Sequence, residues 1–184
     1  MVVPLSYSTV NDVIDSWEYM KRTIPNFAET VGVAVLKRYA KKYPTGLDVF
    51  HFGKLDLSTQ AKYDAFFAGD RIVKIAKRFV QTLDTAFSLL GPDYELLTEV
   101  LTDLGKKHKR YGVTTEYFVN MGNAILITLA ETLGAKYFTP QLRQSWLDVY
   151  KALTKDMIKG GRDVKVSYTK KKKTLLNRLL LQAH

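Results

Sequence analysis

The stretch "LGKKHKRYGV", residues 104–113, decides how this chain is read. It holds one of only three histidines, His108, among Lys106, Lys107, Lys109 and Arg110. Leu97, Leu101 and Leu104 lead up to it at steps of four and three, and His108 follows four residues later. That spacing puts all four on one face of a helix. The basic neighbours then point elsewhere, and Gly112 supplies the break that ends the helix. The imidazole belongs to an apolar stripe rather than to a solvated charge cluster.

The same period continues outward from this segment. Val10, Val13, Ile14, Trp17 and Met20 make one amphipathic face. A second helix is predicted from about Phe27 to Lys42, with Val31, Val35 and Tyr39 on one side, and "YPTG" closes it because proline cannot continue a helix. The irregular stretch "LDVFHFGKLDLS" follows. A long helix is expected from about Arg71 to Leu90, with Gly69 dividing it from a preceding helical turn. Pro92 suits the first position of the helix that carries His108. Another helix is expected from about Thr115 to Leu133. The last starts with Thr139 as cap and Pro140 just inside, and its pattern dissolves after Met157. No strand alternation and no internal repeat are seen. The chain reads as an all-α domain over residues 1–160 and a basic tail over 161–184.

Composition narrows the functional classes. The 184 residues are 46% apolar, enough for one domain with a real core. With no cysteine there is no disulfide framework, thiolate metal site or cysteine nucleophile. No apolar run reaches the roughly 20 residues that span a bilayer, and "MVVPLSYST" does not read as a signal peptide. The expected location is the cytoplasm. Of the formal charge of +10, residues 159–184 contribute +7, from eight basic residues and Asp163. The body is nearly balanced, which argues against a specific nucleic-acid face. "KKKKTLLNRLLLQ" pairs a polybasic run with leucines at helical spacing. It reads either as a solvated tail or as a weak contact with an anionic membrane surface.

A lone histidine on an apolar stripe serves packing in most proteins. Its functional alternative is metal ligation. One histidine cannot build a tetrahedral zinc site, which needs three or four ligands. It can hold haem iron, because the porphyrin supplies the four equatorial nitrogens.

Four blocks resemble the globin family, and its neuroglobin-like members in particular, over about residues 8–160. "DSWEYMKR" is similar to the tryptophan-bearing first helix. "GVAVLKRYAKKYP" followed by "LDVFHF" resembles the second helix, its proline corner and the phenylalanine that packs on the porphyrin, here Phe50. "LGKKHKRYGV" resembles the proximal segment, and "FTPQLRQSWLDVY" the start of the last helix. The resemblance implies a globin fold of seven to eight helices around haem b, iron protoporphyrin IX. It makes His108 the iron ligand, with Val113 and Phe118 beside the haem and Lys107 as a candidate partner of a haem propionate.

The distal side departs from the family. Aligning "IAKRFVQTLD" puts Ile75 where most globins carry histidine or glutamine, with Phe79 one turn on and Arg78 where a propionate partner is expected. Leu36 and Phe50 complete an apolar distal pocket. Residues 52–107 contain no histidine, so this helix cannot supply the second imidazole of a bis-histidine state. A hydrogen bond to a charged group is worth about 1.5–3 kcal/mol, so a pocket without a donor loses roughly ten- to a hundredfold in oxygen affinity. The chain is therefore expected to be a gas-ligand or redox sensor with nitrite or nitric oxide chemistry. An enzymatic role, such as haem-dependent nitrite reduction, also needs an electron-donor protein. A reversible oxygen carrier or store and a haem-free helical adaptor are the alternatives.

Overall fold

The structure is a computed structural model and describes residues 5–91 and 93–162. Among the described residues there are seven α-helices and one 3-10 helix, with no strand. In chain order they are α1 (Tyr7–Thr23), α2 (Phe27–Lys42), the 3-10 helix Pro44–Phe50, α3 (Gln60–Phe67), α4 (Asp70–Leu89), α5 (Tyr94–Arg110), α6 (Thr115–Tyr137) and α7 (Pro140–Arg162).

Local chemistry sets most boundaries. Ser6 caps α1 by accepting from the Thr9 amide at 3.1 Å, and Thr139 caps α7 by accepting from Leu142 at 3.2 Å. The stretch read as irregular after α2 is partly the 3-10 helix that Pro44 opens. The helical turn expected before Gly69 is a helix of eight residues, α3, capped by Thr59. α5 starts at Tyr94, not at Pro92, because the Asp93 carboxylate caps it, accepting from the Leu96 amide at 2.9 Å; Pro92 lies outside the described residues. α6 runs past Leu133 to Tyr137 through a kink at Gly134, whose φ of 71° suits glycine.

α7 also outruns its sequence pattern, reaching Arg162 rather than fading after Met157. Packing is the reason. A β-carbon on Gly105 of α5 would lie 1.9 Å from the Met157 carbonyl oxygen, and one on Gly160 of α7 would lie 2.2 Å from that of Thr102. The two backbones touch, so the glycines that weaken the helix locally are repaid by close packing. Replacing Gly105 with alanine should therefore cost about 1–3 kcal/mol, the usual range for overpacking. Gly161→Ala, whose nearest atom would lie at 3.4 Å, should cost clearly less. Urea unfolding of both variants checks this; equal midpoints would show that the helices do not meet so closely.

α2 and α4 cross just as tightly, with Gly32 against the Ala76 carbonyl at 2.4 Å from a notional β-carbon. Trp17 of α1 ties the far end of the core, 4.8 Å from Phe27, 5.0 Å from Phe87 and 5.9 Å from Trp146 between ring centres. α6 is long and apolar enough to cross a membrane by length and composition, although no such run was expected. It packs in the core against α2 and α7. Of the tail expected over residues 161–184, the first two residues belong to α7 and residues 163–184 lie outside the described residues.

Candidate functional site

Between the α2–α4 pair and α5 lies a cavity of about 270 Å³, walled by α2, the 3-10 helix, α4, α5, α6 and α7. His108 is on its wall. The three- and four-residue steps of α5 bring Leu101, Leu104 and His108 to the same side, and all three line the cavity. His108 Nδ1 lies 2.9 Å from the Leu104 carbonyl oxygen. A carbonyl only accepts, so Nδ1 carries the proton and Nε2 keeps its lone pair. Burial lowers the His108 pKa below its usual value, opposed in part by the bond to Leu104. The ring is thus held neutral and oriented, with Phe118 5.8 Å away between ring centres.

Of the residues picked from the sequence, Leu36, Phe50, Ile75, Arg78, Phe79, Val113 and Phe118 join His108 around this cavity. They come from five segments of the chain, and tertiary packing alone brings them together. Arg78 is exposed at the rim, with its guanidinium free for an anion. Lys107 is exposed and is not part of the wall. His51 is exposed as well and stands off the cavity, in a left-handed conformation with φ of 53°. Arg71 donates to the carbonyls of Phe50 at 2.9 Å and His51 at 3.3 Å, which ties that corner to α4.

Sequence reasoning missed several wall residues. Tyr39, Met121, Tyr150, Leu153, Thr154 and Met157 also line the cavity. Tyr39 and Met121 sit three residues beyond Leu36 and Phe118, so helical spacing carried a signal for both. The α7 residues carried none, because nothing local shows which face of α7 meets the pocket. Most of the hydroxyls on the wall are tied down: Thr82 donates to Arg78 at 2.8 Å, Thr154 to Tyr150 at 2.8 Å, and Tyr150 to Phe118 at 2.9 Å, each to a backbone carbonyl. Tyr39 is an exception to the apolar wall expected from sequence. It is 2% exposed and stands at the Gly46 end of the cavity, where a β-carbon on Gly46 would lie 2.6 Å from its hydroxyl oxygen. Burial raises the Tyr39 pKa well above the ordinary range, so its hydroxyl stays protonated.

The globin family model matches residues 33–157 of this chain. The chain belongs to the globin family. Neuroglobin-2 of Oncorhynchus mykiss is 32% identical over 146 residues, covering 79% of this globin and 85% of that protein. Neuroglobin of Chaenocephalus aceratus is 32% identical over 153 residues, covering 80% and 89%. Among solved structures, a hexacoordinated heme protein from an anhydrobiotic tardigrade superposes with a TM-score of 0.73 at 21% identity, covering 87% of this globin and 97% of that chain. The hexa-coordinate hemoglobin of Drosophila melanogaster gives 0.71 at 20% identity, covering 84% and 94%. At these identities the structures speak for the fold. In this globin Ile75 lines the cavity from α4.

Proposed function

We propose that this globin binds haem through His108 Nε2 and works in gas-ligand or redox sensing, with nitrite and nitric oxide as its reactive ligands. The observation that carries the reading is a single neutral imidazole, oriented by Leu104, on the wall of a large apolar cavity. The donor set suits haem. One nitrogen ligand is enough only where the other equatorial donors come with the cofactor. Arg78 stands exposed at the rim as a cation for a propionate. Membership of the globin family, and haem proteins among its structural neighbours, support the same cofactor.

When bound, haem supplies a one-electron couple and an open coordination position for small ligands. The chain's own residues set how that position behaves. His108 holds one side, and its bond to Leu104 fixes the ring and keeps the proton on Nδ1. Ile75 and Phe79 present hydrocarbon to the cavity from α4, whose polar wall residues are Arg78, exposed at the rim, and Thr82, whose hydroxyl donates to the Arg78 carbonyl. An apolar wall penalises net charge, which favours the ferrous over the ferric state.

The Tyr39 hydroxyl favours a second reading, reversible oxygen binding, if it donates to the ligand. Absorption spectra of the purified protein, ferric and ferrous, with the lifetime of the oxygenated form in air, separate these readings. Our reading expects a strong haem band and rapid autoxidation, unchanged by Tyr39→Phe. A long-lived oxygenated form that Tyr39→Phe shortens about tenfold or more, as loss of a 1.4 kcal/mol bond would, supports the carrier instead. No haem band would leave the helical adaptor.

A further inference from the structure

We propose that Tyr39 and Tyr43 form a two-step relay, which carries electrons one at a time from an anionic reductant at the surface into the cavity, where hydrogen peroxide is reduced. The assignment rests on the haem reading above. Tyr39 stands on the cavity wall and is 2% exposed. Tyr43 caps the end of the same helix one turn on, half-buried at the surface. Their ring centres are 5.7 Å apart. Among the described residues three pairs of tyrosine or tryptophan rings meet in this way. Trp17 and Trp146, 5.9 Å apart, are both buried, and neither lines the cavity. Tyr19 and Tyr137, 5.6 Å apart, are both exposed and stand off it. Tyr39 and Tyr43 alone put one oxidisable ring on the wall and its neighbour at the surface.

A phenol gives up an electron readily only as it gives up its proton. Tyr150, also on the wall, donates its proton to the Phe118 carbonyl at 2.9 Å, and an amide carbonyl is too weak a base to keep it. The Tyr39 hydroxyl makes no hydrogen bond among the described residues. The wall gives it room because residue 46 is glycine: a β-carbon there would lie 2.6 Å from the hydroxyl oxygen. Its proton can therefore pass into the cavity. At the surface the Tyr43 hydroxyl oxygen accepts from Asn123 Nδ2 at 3.3 Å, which leaves its own proton for solvent. Lys42 Nζ stands 5.6 Å from the centre of the Tyr43 ring and draws an anionic reductant such as ascorbate to it. Each pass moves one electron and one proton. Tyr39 gives both to the peroxide, then recovers an electron from Tyr43 and a proton from water. Tyr43 loses its proton to solvent, and the ascorbate monoanion restores both electron and proton. After two passes the O–O bond is broken, the peroxide has left as two waters, and two ascorbates have become ascorbyl radicals.

The haem-loaded ferric protein, mixed with hydrogen peroxide and a nitroso spin trap, tests this. Peptide mass spectrometry locates the trapped radical, which should be on Tyr43. Tyr39→Phe keeps the ring that packs on Gly46 and removes only the hydroxyl. Its haem spectrum and circular dichroism should match the parent, while the Tyr43 adduct is lost. Tyr43→Phe leaves the wall untouched and should abolish the adduct on that peptide. Oxidation of ascorbate by peroxide should slow in both variants. The double variant should be no slower than the slower single one, because two residues in one path do not add. An undiminished Tyr43 adduct in Tyr39→Phe overturns the relay. So does an adduct on Tyr117, or sulfoxide on Met121 or Met157, in place of the Tyr43 adduct, since these residues also line the cavity. Absence of any adduct in a parent with an intact haem band overturns the relay and leaves haem in place. A parent protein without a haem band would overturn the haem reading and the relay with it.

Discussion

Alanine in place of His108 should leave a folded protein that no longer holds haem. Among the described residues the imidazole is the one nitrogen donor on the cavity wall with a free lone pair, and its Nδ1–H bond to Leu104 is local to α5. Losing a supporting residue of a metal site typically costs about 10–100-fold in metal affinity; losing the ligand itself should exceed that. Transfer of haem to excess apomyoglobin measures it directly, and the parent and variant should differ by more than two decades in rate. Circular dichroism should change little, because His108 is only partly buried and α5 is held to α7 by backbone contact at Gly105 and Gly160. His108→Gly with added imidazole should restore the spectrum. Retention of haem by the alanine variant at the parent rate would mean that another side chain holds the iron.

Histidine in place of Ile75 should convert the haem spectrum to that of a six-coordinate, low-spin species. Ile75 lies on the α4 wall of the same cavity as His108, and α4 is clamped to α2 where Gly32 meets Ala76. A second imidazole on so rigid a helix has a fixed position, so ligation should be nearly complete rather than partial. Binding of carbon monoxide should slow, since the ligand must first displace the new histidine. No spectral change would place Ile75 away from the iron and shift the distal assignment along α4.

Much of this fold was legible before any coordinates. The apolar stripe from Leu97 to His108 named the helix, its buried face and the residue of interest, because periodicity is a local property of the chain. The bounds of α2 and the cap of α7 follow from Pro44, Thr139 and Pro140 in the same way. Lys107 turns outward, as the helical period required, and stands off the cavity wall. The extent of α7 was not legible. The apolar pattern dissolves after Met157, and the close approach of Gly160 to α5 is what the helix continues for. The start of α5 was misplaced because Pro92 and Asp93 are both good opening residues, and the hydrogen bond to the Leu96 amide chose between them.

Residue order alone determined that the chain is helical, that His108 sits on a buried stripe, and that residues 52–107 offer no second histidine. These depend on which side chains occur and how far apart they lie, and folding cannot change either. Tertiary structure alone decided that Leu36, Phe50, Ile75, Phe79 and Phe118 share one cavity with His108, and that Tyr39 and α7 complete its wall. Those neighbours are set by where helices cross, and the crossings at Gly32 and Gly105 depend on backbone approach that no local pattern encodes.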